Sequence, residues 1–365
     1  MDAQPTSSFS DIGDLFSNLY VFGDSLTDIG NIKNVTEFVQ PFDWLFGLDI
    51  PVAPPPTPEG VPPYFEGRFS NGPVWIDIVA DSLGKSLTAS SKLSVFRPGL
   101  LRFPSPITVT QEGLSVSPYF NGNLVDANVN FAFGGANTDQ TGLGGGDFDT
   151  LIPGALKQVG WLEKDLARSR ESIAPEALVI YWFGPNDYWT NPQADPETTV
   201  GNIEEGLTRL IDMGAQNLLV PNMPNLSKVP RFNEAEGNPK PPYDSQVIND
   251  FSLHHNALLQ ETLDGLIGEY PDVNFIQLDV NALFEEALDP LSDFGFTNTV
   301  HPFLSPLTPM NADPKDYLFW DDIHPTAGAH DILAHTALTE LQEFFLPAEG
   351  SLFQTQFDQR TPSLV

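Results

Sequence analysis

Apolar residues along this 365-residue chain recur with two periods. Short runs rich in β-branched and aromatic side chains fall at residues 19–22, 125–133, 177–183, 217–220 and 273–280, each stopped by Gly, Asn, Asp or Pro. Four of them are apolar on both faces, the pattern of parallel strands covered by helices on each side. Between them, residues 73–83, 155–170, 198–213, 245–269 and 326–345 place apolar positions at helical spacing. Ser70-Asn71 just ahead of Pro73 predicts a capped start for the first of these. The alternation predicts an α/β fold: a three-layer, doubly wound sheet of about five parallel strands, with the site at the strands' C-terminal ends. No internal repeat or linker interrupts it. One domain over 1–365 is the expectation, with 1–18 and 347–365 as peripheral tails.

Three long stretches lack either period. Residues 38–66 are Pro-rich and aromatic, 92–123 read as a β-rich excursion, and 294–316 carry Phe, Leu and Pro. Long insertions in a compact domain are commonly functional, and apolar ones suit a binding wall or lid. Composition narrows the partners. With 49 acidic against 16 basic residues and a formal charge of −33, the chain has no electrostatic footprint for nucleic acid and is repelled by anionic membranes. Without cysteine it has no disulfide, thiolate nucleophile or cysteine-held metal. No run reaches the roughly 20 apolar residues that span a bilayer, and residues 1–18 show neither a basic nor an apolar leader region.

The first predicted strand ends in Tyr20-Val21-Phe22-Gly23-Asp24-Ser25-Leu26-Thr27-Asp28. Ser25 thus stands at a strand tip, after a small residue, where the N–H groups of the following helix converge. A serine nucleophile needs a base, an orienter for that base and oxyanion donors. Phe319-Trp320-Asp321-Asp322-Ile323-His324-Pro325 supplies a histidine with Asp321 three residues before it, and Asp322 as a competing orienter. Asn130-Phe131-Ala132-Phe133-Gly134-Gly135-Ala136-Asn137-Thr138 lets a backbone N–H approach a ligand, and Trp182-Phe183-Gly184-Pro185-Asn186-Asp187 offers the Asn186 amide. Each segment taken singly reads as an ordinary cap or turn.

Together they resemble the GDSL esterase/lipase branch of the SGNH hydrolases. Gly23-Asp24-Ser25-Leu26 matches literally. Gly67-Arg68-Phe69-Ser70-Asn71-Gly72 with Trp75, the glycine block, the Asn186 block and Asp321-x-x-His324-Pro325 follow in family order across roughly 19–345. The resemblance implies a flavodoxin-like sheet, Ser25 as nucleophile, His324 as base and then acid, and Asp321 as orienter. It implies an oxyanion hole from the N–H of Ser25, a block glycine (Gly135 ahead of Gly134) and the Asn186 side chain. Pro185 departs from many members and leaves the Asn186 side chain free. The implied reaction is carboxylic ester hydrolysis through an acyl-enzyme, with no metal or organic cofactor. Acyl transfer to an alcohol, lysophospholipid hydrolysis and a catalytically idle binding module are the competing readings. The apolar loops point to a medium or long acyl chain on a neutral ester or lipid. Many bacterial relatives are exported, so a secreted or periplasmic location is the expectation, against a cytoplasmic one.

Other signals read as structural. His324, His330 and His335 do not share a helix face, so the latter two are expected as solvated helix residues, as are His254-His255. Leu83-Gly84-Lys85-Ser86 lacks the first glycine of a phosphate loop, since Val79 stands there. The Gly- and Asp-rich segment 142–149 reads as a loop rather than a Ca²⁺ site.

Overall fold

The structure, a computed structural model, describes residues 9–347 apart from 43–50, 94, 97–102, 105–106, 111–112, 117–119, 121, 123, 126, 144–151 and 290. Helix α1 (Phe9–Gly13) leads into strand β1 (Leu19–Gly23), followed by α2 (Asn31–Val39), α3 (Trp75–Ser82), β2 (Thr88–Ala89) and α4 (Ser90–Leu93). Two antiparallel ribbons come next, β3 (Val95–Phe96) with β4 (Phe103–Pro104) and β5 (Ile107–Thr110) with β6 (Gly113–Val116). Then follow β7 (Val129–Asn130), α5 (Ala155–Ser169), β8 (Leu178–Trp182), α6 (Pro185–Tyr188) and α7 (Pro196–Asp212). The chain closes with β9 (Asn217–Pro221), α8 (Ser245–Glu269), β10 (Asn274–Leu278), α9 (Val280–Leu288) and α10 (Ala327–Phe345).

The main sheet runs β10-β9-β8-β1-β7-β2 with every pair parallel. In keeping with the expected sheet of about five parallel strands, six pair among the described residues, the additional one being the two-residue β2 against β7 at the edge. A strand that short carries no legible period. The chain passes from β1 to the β2 edge, fills the gap with β7, and then crosses β1 to lay β8, β9 and β10 on its other side, so the order reverses at β1. That crevice is where an open α/β sheet binds its ligand.

Alternate residues of β1 explain the layers. Tyr20 and Phe22 face a cluster with Ile32 and Val35 of α2, Val159 and Leu162 of α5, Leu207 of α7 and Leu259 of α8. Leu19 and Val21 face the other, with Trp75, Ile76 and Val79 of α3 and Ala334, Ala337 and Leu341 of α10. Helices on both faces bury both, which is why these strands read as continuous apolar runs.

Several expectations are corrected. Of the segment expected as a peripheral tail before β1, residues 1–8 lie outside the described residues, and within 9–18 Ile12 and Phe16 are buried in the second cluster. The far tail lies almost entirely outside the described residues, as does most of 142–149. Asn71 does not start α3. It caps α10, its Oδ1 accepting the Ala327 N–H at 2.8 Å, while α3 begins after Val74. His255 and His330 are buried, not solvated. Each falls on its helix's core stripe, His255 between Ser252 and Leu259 and His330 one turn before Leu333 and Ala334. A polar side chain on an apolar stripe breaks the pattern by which such positions are recognised. His330 Nδ1 accepts the Trp75 N–H, and burial pushes both imidazoles down to about 3, so both are neutral in mild acid. His254 and His335 are exposed.

Candidate active site

The tip of β1 is held by side chains from other elements. Gln158 of α5, fully buried, accepts the Gly23 N–H at 3.3 Å and donates to the Gly23 carbonyl at 3.0 Å, closing the strand end like a further strand. A Cβ on Gly23 would lie 2.9 Å from the Thr27 side chain, so the turn into Ser25 needs that position bare. Asp28 accepts the N–H groups of Gly30 and Asn31 on one oxygen, and those of Ile32 and Gly134 on the other. One buried carboxylate therefore starts α2 and pins the glycine block to the β1 turn. Burial pushes it up to about 6, against the pull of those four bonds.

Ser25, from this turn, meets the loop ahead of α10. Its Oγ lies 2.8 Å from His324 Nε2, and both residues are nearly buried. His324 Nδ1 lies 2.8 Å from Asp321 Oδ2 and 3.0 Å from Oδ1. A carboxylate can only accept, so Nδ1 carries the proton and Nε2 is left to accept from Ser25. Asp321 Oδ1 also accepts the N–H groups of Ile323 and His324, at 2.9 and 2.7 Å, which shapes the Asp-x-x-His turn. Burial opposes charge on both groups, yet each carries the other's ionised form. His324 ends above its ordinary value and Asp321 below. Asp322 is engaged elsewhere, its Oδ2 on Arg231 Nε at 2.8 Å. Phe69 lies against the imidazole, ring centres 4.9 Å apart, and against Gly134, where a Cβ would come within 2.3 Å of it.

The three expected oxyanion donors differ in what already engages them. Gly134 spends its N–H on Asp28. Gly135, at φ +83°, has no protein acceptor for its N–H among the described residues, nor has Ser25. Asn186, buried on α6, donates from Nδ2 to Asp24 Oδ2 at 3.1 Å and to the Ala136 carbonyl at 3.0 Å, so both amide protons are engaged. Asp24 is pushed up to about 6 by burial, with the Leu26 N–H and the His324 charge drawing it back.

Asn186 is placed by packing that its own sequence block does not announce. Gly184, at φ +135°, lies under His255, whose Cε1 would be 2.8 Å from an added Cβ. At the other end of α6, the Tyr188 hydroxyl pairs with His255 Nδ1 at 3.0 Å. Gly184→Ala would strain the backbone and crowd that ring, lowering stability by about 2–4 kcal/mol. Gly201→Ala on α7, where an added Cβ meets nothing within 4 Å, should leave stability level or raise it by up to about 1 kcal/mol. Urea unfolding of the two variants measures this, and equal effects would remove the packing argument.

Beside Ser25 lies a cleft that opens to solvent at its mouth. Its wall is apolar, with Leu226 after β9, Leu283 and Phe284 of α9, Phe296 of the 294–316 stretch, and Ile332 and Leu333 of α10. Asp24, Ser25, Asn186 and His330 are the polar side chains on it. Among the described residues no group of three or more His, Cys, Asp or Glu is arranged to hold a metal ion, and no helix is long and apolar enough to cross a membrane.

The model of the GDSL-like lipase/acylhydrolase family matches residues 19–337. The chain belongs to that family. It is a carboxylic ester hydrolase of the serine type. Among similar proteins, a GDSL esterase/lipase of Arabidopsis thaliana is 28% identical, over 89% of this chain and 84% of its own. A phosphatidylcholine-sterol acyltransferase of Aeromonas hydrophila is 23% identical, over 90% of each. A lipase/acylhydrolase crystal structure from Enterococcus faecalis superposes loosely, with TM-score 0.40 and 12% identity over 91% of this chain and 99% of that one. In this GDSL hydrolase two residues that contact the site escaped the sequence patterns. Asp28 closes the Tyr20–Asp28 segment but carries no signal of what it bonds to, and Tyr64, whose hydroxyl reaches Asp321, has no local signal at all.

Proposed function

We propose that this GDSL hydrolase acts as a single domain on neutral esters or lipids with medium or long acyl chains, using Ser25, His324 and Asp321. The observation that carries the reading is the continuous relay from Ser25 Oγ through His324 to Asp321, with 2.8 Å at each step. Ser25 Oγ attacks the carbonyl carbon while its proton passes to His324 Nε2. The resulting imidazolium is held by the Asp321 carboxylate. The N–H groups of Ser25 and Gly135 receive the oxyanion, and Asn186 joins them by exchanging its Asp24 bond for it. His324 then protonates the leaving alkoxide, the C–O bond breaks, and the acyl group remains on Ser25. Water repeats the cycle in reverse roles and releases the acid. The −33 charge supports a substrate that is not an anionic surface and argues against nucleic acid.

The acyl chain would occupy the apolar cleft. Each methylene buried there is worth about 0.8 kcal/mol, or roughly fourfold in kcat/KM, until the cleft is full. Hydrolysis of p-nitrophenyl esters from acetate to palmitate should therefore climb and then level off. Ala287→Phe, on the cleft wall, should cut the long esters while sparing acetate. A flat profile in the wild type, or equal loss at all lengths in the variant, would remove the acyl-cleft reading. The acyltransferase relative favours a second outcome from the same acyl-enzyme. Added alcohols would then divert product from free acid to new ester.

A further inference from the structure

Asp321 has an additional partner outside its own turn. The Tyr64 hydroxyl donates to Asp321 Oδ2 at 2.6 Å, the same oxygen that faces His324 Nδ1. Tyr64 ends the Pro-rich stretch 51–64 and is fastened from both sides. On one side, a tight turn follows, with Phe65 N–H on the Ser70 carbonyl, Arg68 N–H on the Phe65 carbonyl, and Gly67 at φ +87°. Ser70 Oγ then donates to the Pro325 carbonyl at 2.9 Å, tying that turn to the residue after His324. On the other side, the Tyr64 ring meets Phe69 and Trp320 edge-on, with centres 6.4 and 6.1 Å away.

We infer that Tyr64 is a positioning residue that sets the basicity of His324 through Asp321, an inference resting on the triad proposed above. The hydroxyl takes up part of the negative charge on the oxygen that His324 also uses. With four donors on two oxygens, the carboxylate is fully satisfied, so the imidazolium gains less from it than from a bare carboxylate. Burial and the neighbouring Asp321 keep the phenol protonated throughout the working range, so it acts as a constant donor. The other ionisable groups facing this pair are Asp24 from the β1 turn, Asp322 with its Arg231 partner, and the neutral His330 of α10. Tyr64→Phe touches none of them and keeps the ring contacts.

The test is the pH profile of kcat/KM on p-nitrophenyl butyrate between pH 5 and 9. A general base must be neutral, so activity rises with pH through the His324 midpoint. In Tyr64→Phe the carboxylate regains its full charge, imidazolium is favoured, and that midpoint should move upward. The shift expected is on the order of half a unit, a fraction of the one to three units that a whole charge exerts. A chain with 3,5-difluorotyrosine placed at position 64, a stronger donor, should move it downward. Opposite shifts support the inference, since a purely structural contact would not follow donor strength. An unmoved midpoint in both chains, or shifts in the same direction, overturns it. Should Tyr64→Phe unfold, the difluorotyrosine chain decides alone by the direction of its shift. Ser25→Ala run alongside separates the two levels, because full activity there sinks the triad itself whatever Tyr64 does.

Discussion

Ser25→Ala should lower turnover of a p-nitrophenyl ester by on the order of 10⁶-fold, the scale on which serine hydrolases lose activity without their nucleophile. The substitution removes one oxygen whose partner is His324 Nε2. Among the described residues no other side chain bonds to it, so the fold and the acyl cleft should remain. Activity left over would come from the oxyanion donors and from binding, which hold without the hydroxyl. Labelling gives an independent readout. A phosphonate ester probe should mark the wild type at Ser25 in equal stoichiometry and leave the variant unlabelled. Turnover within tenfold of wild type, with the label elsewhere, would move the nucleophile to another residue.

Asp321→Asn carries the second largest expected effect, a loss on the order of 10⁴-fold in kcat. An amide Nδ2–H facing His324 Nδ1 would hold the imidazole in its other tautomer, with the proton on Nε2. That nitrogen then meets the Ser25 hydroxyl as a donor and cannot accept its proton. The two backbone donors would keep the oxygen at Oδ1, and the Tyr64 hydroxyl, left without its acceptor, could instead accept from the second Nδ2–H, so the turn should survive. Asp322→Asn is the control. Its side chain is paired with the half-exposed Arg231, and an ion pair of that kind is worth about 0–1 kcal/mol. Kinetics of the two variants on one ester separate them. A large loss from Asp322→Asn with none from Asp321→Asn would exchange their roles.

Much of this was legible because it is local. The apolar runs mark β1, β8, β9 and β10 to within a few residues, since a strand covered on both faces leaves a continuous apolar signature. The run at 125–133 was less faithful. Among the described residues only Val129–Asn130 forms a strand there, although the Phe131 and Phe133 N–H groups still donate to the Val21 and Gly23 carbonyls of β1. Helices α2 and α9 were not anticipated. Each is 9 residues long, started by a carboxylate of Asp28 or Asp279 whose N–H partners lie within the next few residues. The buried histidines show the opposite failure. Burial of a polar side chain depends on what packs over it, and His255 is covered by Gly184 and Tyr188, far away along the chain.

The candidate site divides along the same line. By itself the sequence determined which chemistry the chain carries: a serine at a strand tip, a histidine three residues after an aspartate, a glycine pair and an asparagine, in an order that names the family. Those signals are short, and each is complete within a few residues. Only the tertiary structure decided how they are poised. It settled that Gly134 is spent on Asp28 while Gly135 keeps its N–H, that Asn186 starts out bonded to Asp24, and that Tyr64 reaches Asp321 from 257 positions away. Hydrogen bonds and burial act across distances of a few ångströms in space, and spacing along the chain carries no record of which distant residues will be brought that close.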